Sequence, residues 1–154
     1  MKAFFELPER IEALERAAQA WKGTPFRHNS KVRQVGANCV MAIVGVLEDA
    51  GFKVPPFDLV PTNWCRYQTE SAMEKWLDAH EPWFAGIERV VIAPGDVVGF
   101  KVGLCVHHLG VVLPGGRFFQ CSEGIGAAIL SRSERVFKQR LTRAWRPMDY
   151  VIQH

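Results

Sequence analysis

The spacing of apolar and polar positions changes once along the chain, just past its middle. From Pro8 to Lys22 the apolar residues Ile11, Leu14, Ala17, Ala18 and Trp21 recur at helical intervals between charged ones. That pattern predicts an amphipathic helix begun by Pro8 and stopped at Gly23. Val40 to Ala50 is apolar at nearly every position, as in a helix buried on most sides, with Asn38 as its N-cap and Gly51 at its release. Ser71-Ala72-Met73-Glu74 has the spacing of a capping box and opens a further amphipathic helix that ends before Pro82. From Gly95 the period shortens. Asp96 to Val102, Cys105 to Leu113, Arg117 to Ser122 and Ala127 to Arg132 are short Val-, Phe-, Ile- and Leu-rich runs separated by Gly and Pro, predicting an antiparallel meander. Helices first and strands second define an α+β class.

Between these patterned stretches lie two irregular ones. Thr24 to Asn38 is a polar loop of a length that compact domains keep for function. Residues 51 to 94 contain Val54-Pro55-Pro56-Phe57 and Pro61-Thr62-Asn63 and read as an insertion between a helical half and a strand half. With 154 residues, no repeat and no linker, the expectation is one domain over 1–154, large enough for its own core.

Charge narrows the partners. The net charge is +3, and the densest basic cluster, Arg132 to Arg146, forms no stripe of the kind that tracks nucleic acid. No apolar run approaches a membrane span, and Met1 to Pro8 turns acidic too soon for a signal peptide, so synthesis into the cytoplasm is expected. The four cysteines, Cys39, Cys65, Cys105 and Cys121, make no CxxC pair and read as free thiols. Cys105, His107, His108 and Cys121 offer ligand atoms but lack paired knuckle spacing, so neither a metal nor another cofactor is expected.

Candidate chemistry centres on Cys39, at the point where a glycine-containing loop becomes a helix. Free N–H groups in that first turn favour a thiolate. The histidines His107 and His108 point to opposite faces of their strand, and His107 is expected on the face away from the chemistry. A three-residue turn at Pro114-Gly115-Gly116 would pair Leu113 with Arg117, Gly110 with Gln120 and His108 with Ser122. His108 and Gln120 would then be diagonal neighbours roughly 7–8 Å apart on one face. If the Cys39 helix covers that face, nucleophile, base and orienting group converge as cysteine-dependent acyl transfer requires. Gln120 is expected to accept from His108 Nδ1–H, and Asp96, in Pro94-Gly95-Asp96, to shape a turn. Trp64, Trp76, Trp83 and Trp145 read as packing residues.

Four ordered segments carry a resemblance: Trp21-Lys22-Gly23-Thr24-Pro25-Phe26-Arg27-His28; Gly36-Ala37-Asn38-Cys39; Pro94 to Phe100; and His108 to Gln120. Together they resemble the motifs of the NlpC/P60 cysteine peptidases, most of all the short branch found in phage tails and gene transfer agents. The resemblance implies a papain-like fold in which N-terminal helices, the cysteine-bearing one among them, pack on a small antiparallel sheet. It implies hydrolysis of amide bonds in peptidoglycan stem peptides, typically D-glutamyl to diaminopimelate. Cys39 matches the nucleophile, His108 the base and Gln120 the third polar position; Phe26, His28 and Asn38 are expected beside substrate and oxyanion. The chain departs from the pattern in having Asn38-Cys39-Val40-Met41 for Asp-Cys-Ser-Gly, Phe26 for a tyrosine, and Gln120 where histidine is common. The implied partners are peptidoglycan peptide and phage tail-tip proteins, with action at the cell wall from a phage or prophage particle. Two other functions fit the same residues: a non-catalytic wall-binding or tail-structural module, and a thioester-forming acyltransferase.

Overall fold

A computed structural model describes residues 2–56 and 71–150. The N-terminal half is helical as the pattern predicts. After a single 3-10 turn at Phe4–Glu6, α1 spans Pro8–Trp21 with Pro8 in its first turn and Leu14, Ala17, Ala18 and Trp21 buried. α2 spans Cys39–Asp49, and Asn38 Oδ1 accepts the Met41 N–H at 2.8 Å, so the predicted N-cap is in place. Its other end closes on Gly51 at φ +95°: the Gly51 N–H reaches Glu48 O and the Phe52 N–H reaches Leu47 O, the paired bonds of a Schellman cap. Gly45 has a different purpose. A Cβ there would lie 2.2 Å from the Trp21 ring, so its bare backbone is what lets α1 and α2 pack this closely.

α3 spans Ala72–Ala79, capped by Ser71 Oγ accepting from Glu74 N–H at 3.1 Å. Only half of the capping box forms. The Glu74 carboxylate turns to Arg143 at 2.6 Å, an ion pair that fastens α3 to the sheet.

That sheet has six antiparallel strands in the order β3-β8-β4-β5-β6-β7 among the described residues. Its strands are β3 Phe84–Ile87, β4 Val97–Val102, β5 Cys105–Leu113, β6 Arg117–Ser122, β7 Gly126–Ser131 and β8 Leu141–Pro147. The four predicted strands match β4 to β7 within a residue at their ends. β3 and β8 were not expected. β8 lies inside the basic cluster, where Arg143 and Arg146 hide a strand whose Ala144 and Trp145 are fully buried. β3 lies in the stretch read as an insertion and pairs with β8, so the end of that stretch is built into the sheet. The polar loop also holds structure, a hairpin of β1 Lys31–Val32 and β2 Gly36–Ala37, and a short helix, α4 Arg135–Arg140, precedes β8.

The sheet is covered on both faces. Leu109, Val111, Leu113, Phe119 and Cys121 pack with α1 and α2 in the larger core, while Phe100, Val112, Phe118, Phe137 and Ala144 make a smaller core beneath α4. At the start of β4, Asp96 shapes its turn as expected, accepting the Ala93 N–H at 2.7 Å, and also takes a two-pronged bond from Arg146. Of the tryptophans, Trp145 is wholly buried and Trp76 and Trp83 pack at the core's margin. Trp64, Cys65, Phe57 and Pro61 to Asn63 lie outside the described residues.

Candidate active site

Each candidate side chain is placed by a local rule of the sequence. Asn38 ends the loop and caps α2, which sets Cys39 in the first helical turn, half-buried, with Sγ 4.0 Å from His107 O on β5. The N–H groups of Cys39, Val40 and Leu109 also approach the sulfur. The helix terminus therefore meets the strand backbone on both sides of His108.

The turn at Pro114 to Gly116 gives the expected register. Leu113 pairs with Arg117 and Gly110 with Gln120, but the ladder ends there, and the expected pairing of His108 with Ser122 does not form. β5 and β6 separate beyond Gly110. His108 and Gln120 nonetheless meet as diagonal neighbours, with Nε2 and Oε1 2.8 Å apart. An amide oxygen only accepts, so Nε2 carries the proton and Nδ1 keeps its lone pair. The expectation had these nitrogens reversed; Nε2 is the ring nitrogen farther from the backbone and is the one that spans the diagonal to Gln120.

A second correction concerns the faces. α2 packs on the face of Leu109, Phe119 and Cys121, whereas His108 lies against the Phe100 ring and Gln120 shares the opposite face with Phe118. Cys39 and His108 are thus not on one covered face. Cys39 approaches from the far side, where β5 and β6 have separated and the strand edge is open. A β-bulge contributes: opposite Phe100 and Lys101, β5 supplies His108 and Val106, leaving His107 as the extra residue. His107 Nε2 lies 3.2 Å from Cys105 Sγ.

The loop residues flank the helix start. Phe26 forms a parallel bridge with Ala37, fixed by Arg27 N–H to Ala37 O and Ala37 N–H to Pro25 O, each 3.0 Å. Its ring packs at the core edge and meets the His28 ring edge-on at 5.1 Å. Buried Thr24 holds this strand, donating to Trp21 O and accepting from Gln34 N–H.

Electrostatics overturn one expectation. Burial pushes the Cys39 thiol up to about 12, against the three backbone N–H groups that favour the thiolate. The helix terminus does pull as anticipated, but desolvation is larger. Burial also lowers the His108 imidazole from its ordinary value, with the Gln120 bond opposing. The resting pair is a neutral thiol and a neutral imidazole. Among the described residues no group of three or more His, Cys, Asp or Glu side chains could hold a metal ion, and no helix is long and apolar enough to cross a membrane.

A capped helix that presents cysteine at the edge of an antiparallel sheet is the arrangement of the NlpC/P60 fold, and the chain has that fold. It superposes on an NLP/P60-family protein of Staphylococcus aureus, described as similar to lipoprotein, with a TM-score of 0.66 and 20% identity, over 96% of this chain and 44% of that one. The NlpC/p60 domain of the peptidoglycan hydrolase SagA matches at TM-score 0.55 and 18% identity, over 87% of this chain and 96% of that domain. The peptidoglycan hydrolase RipB of Mycobacterium tuberculosis matches at 0.51 and 14%, over 92% and 66%. The chain thus spans less than half of the staphylococcal protein. No family model and no curated protein sequence matches.

Proposed function

We propose that this chain is a cysteine peptidase that hydrolyses amide bonds in peptidoglycan stem peptides, of the D-glutamyl to diaminopimelate type, delivered to the wall by a phage or prophage particle. The observation that carries the chemistry is the 2.8 Å bond from His108 Nε2–H to Gln120 Oε1, which reserves Nδ1 as a base. Similarity of fold to the two peptidoglycan hydrolases supports the substrate class. The ordered motifs support the phage-tail assignment.

In this reading Cys39 Sγ attacks the peptide carbonyl as its proton passes to His108 Nδ1. The backbone N–H of Cys39, in the first turn and without a helical acceptor, receives the developing oxyanion. His108 then gives the proton to the leaving amine, a thioester remains, and water attacks it with Nδ1 as base, returning the proton to sulfur. Because both groups rest uncharged, proton transfer accompanies attack. Phe26 supplies only shape where a tyrosine would supply a hydroxyl, and His28 is the polar group adjoining it.

A second reading draws on the same electrostatics. A thiol held up to about 12, with a neutral glutamine rather than an anion on the histidine, also suits a module that binds wall fragments without cutting them. Mass spectrometry of sacculi and purified muropeptides, incubated with the protein and with Cys39→Ala, separates the two. New stem-peptide fragments from the parent alone establish the peptidase and name the bond. Sacculus binding by both forms with no fragments establishes the module.

A further inference from the structure

Gln120 and Ser122 follow one another on the His108 side of β6. Gln120 is more than nine-tenths buried, and its Nε2 and the Ser122 Oγ are both buried without a hydrogen-bond partner among the described residues. Orphaned buried polar atoms are rare, and two on consecutive same-face positions are rarer. Their Cα atoms lie about 7 Å apart along the strand, and the longer Gln120 side chain brings its amide within reach of a water that the Ser122 hydroxyl can also hold. The place is where β5 and β6 have separated beyond Gly110 and Gln120, so the strands there do not fill the gap with a ladder.

We propose that Ser122 is a positioning residue for the dyad: its hydroxyl and the Gln120 amide share one ordered water, which keeps Oε1 on His108 Nε2. The inference rests on the functional reading above. Its physical basis is the two-sidedness of a carboxamide. With an Nε2 hydrogen donated to the water, Gln120 offers His108 an acceptor. Without Ser122 the amide relieves its buried N–H groups by turning, and it then offers His108 a donor. The imidazole answers by moving its proton to Nδ1, where it can no longer take one from Cys39.

Nitrogen NMR of the His108 ring reads this directly, and does so whether or not the protein turns over. The parent is expected to show the proton on Nε2 alone. Ser122→Ala is expected to add the Nδ1–H tautomer and to lower kcat on muropeptides roughly 5–30-fold with KM nearly unchanged. Ser122→Thr, which retains the hydroxyl, is expected to restore both. Ser122→Cys keeps the size while weakening the hydrogen bond and serves the same test if Ala folds poorly. An unchanged tautomer in Ser122→Ala or Ser122→Cys, or Nδ1–H in the parent, overturns the proposal. A parent with no turnover but a tautomer that responds to Ser122 overturns the peptidase reading and leaves the positioning role standing.

Discussion

Cys39 and His108 are each kept uncharged by their surroundings, and that has opposite consequences for how each titrates. A thiol pushed up to about 12 has almost no thiolate at neutral pH. Iodoacetamide should therefore modify Cys39 slowly at pH 7, with a rate that rises about tenfold per pH unit and shows no plateau below pH about 10. A plateau near neutrality would show that the helix terminus outweighs burial. In the proposed mechanism His108 is a base only when neutral, and its lowered pKa keeps it neutral further into acid. The acidic limb of kcat/KM should then fall below the ordinary histidine value of about 6.5. Gln120→Glu places an anion against Nε2 and favours imidazolium, so it should move that limb upward by about one unit or more. The residue types and their spacing were legible in the sequence because strand alternation and a short turn dictate them. Which nitrogen faces Gln120 was not, since it depends on the side-chain torsions of His108, and the charge state was not, since it depends on how deeply the helix terminus is covered.

At the scale of elements, the caps and the close approach of α1 to α2 make definite stability predictions. Asn38→Ala removes the bond to Met41 N–H and should cost about 1 kcal/mol in chemical denaturation. It should also loosen the turn that aims Cys39. Gly45→Ala is the more informative change. Helix propensity alone predicts a gain of about 1 kcal/mol, but the new Cβ would meet the Trp21 ring at 2.2 Å. The clash should win, with net destabilisation of about 1–3 kcal/mol and disturbance of the bond from Trp21 Nε1–H to Asp49. Helices α1 to α3 were readable because caps and breakers mark their ends locally. β8 was not, because Arg143 and Arg146 are inward-directed charges whose partners, Glu74, Asp78 and Asp96, come from distant parts of the chain. β1, β2 and β3 are too short for alternation to register.

For the molecule as a whole, the α+β class and the NlpC/P60 fold were legible from the order of helices, strands and motifs. The assignment of α2 and His108 to different faces was not, because β5 and β6 are apolar on both faces, with Val111 and Phe119 on one and Val112 and Phe118 on the other, and alternation does not say which of them α2 covers. Stability at this scale leans on ties between distant segments. Asp96 is almost fully buried and holds Arg146 through two oxygens, joining the start of β4 to the end of β8. Asp96→Ala leaves that guanidinium without its counter-ion and should cost about 3–5 kcal/mol, measurable as a lowered denaturation midpoint at constant m-value.

The helices-first order of the chain also separates the chemistry by position. Residues 2–56 carry the proposed nucleophile and its cap; residues 71–150 carry the base, its orienting amide and the whole six-stranded sheet. A cut between them would divide the chain into a part with the proposed nucleophile and a part with the proposed base, each inert alone in that reading. The larger core, where α1 and α2 meet β5 and β6, is then the surface through which two such fragments would recognise each other, and recovered activity on mixing would report the return of both helices to the sheet.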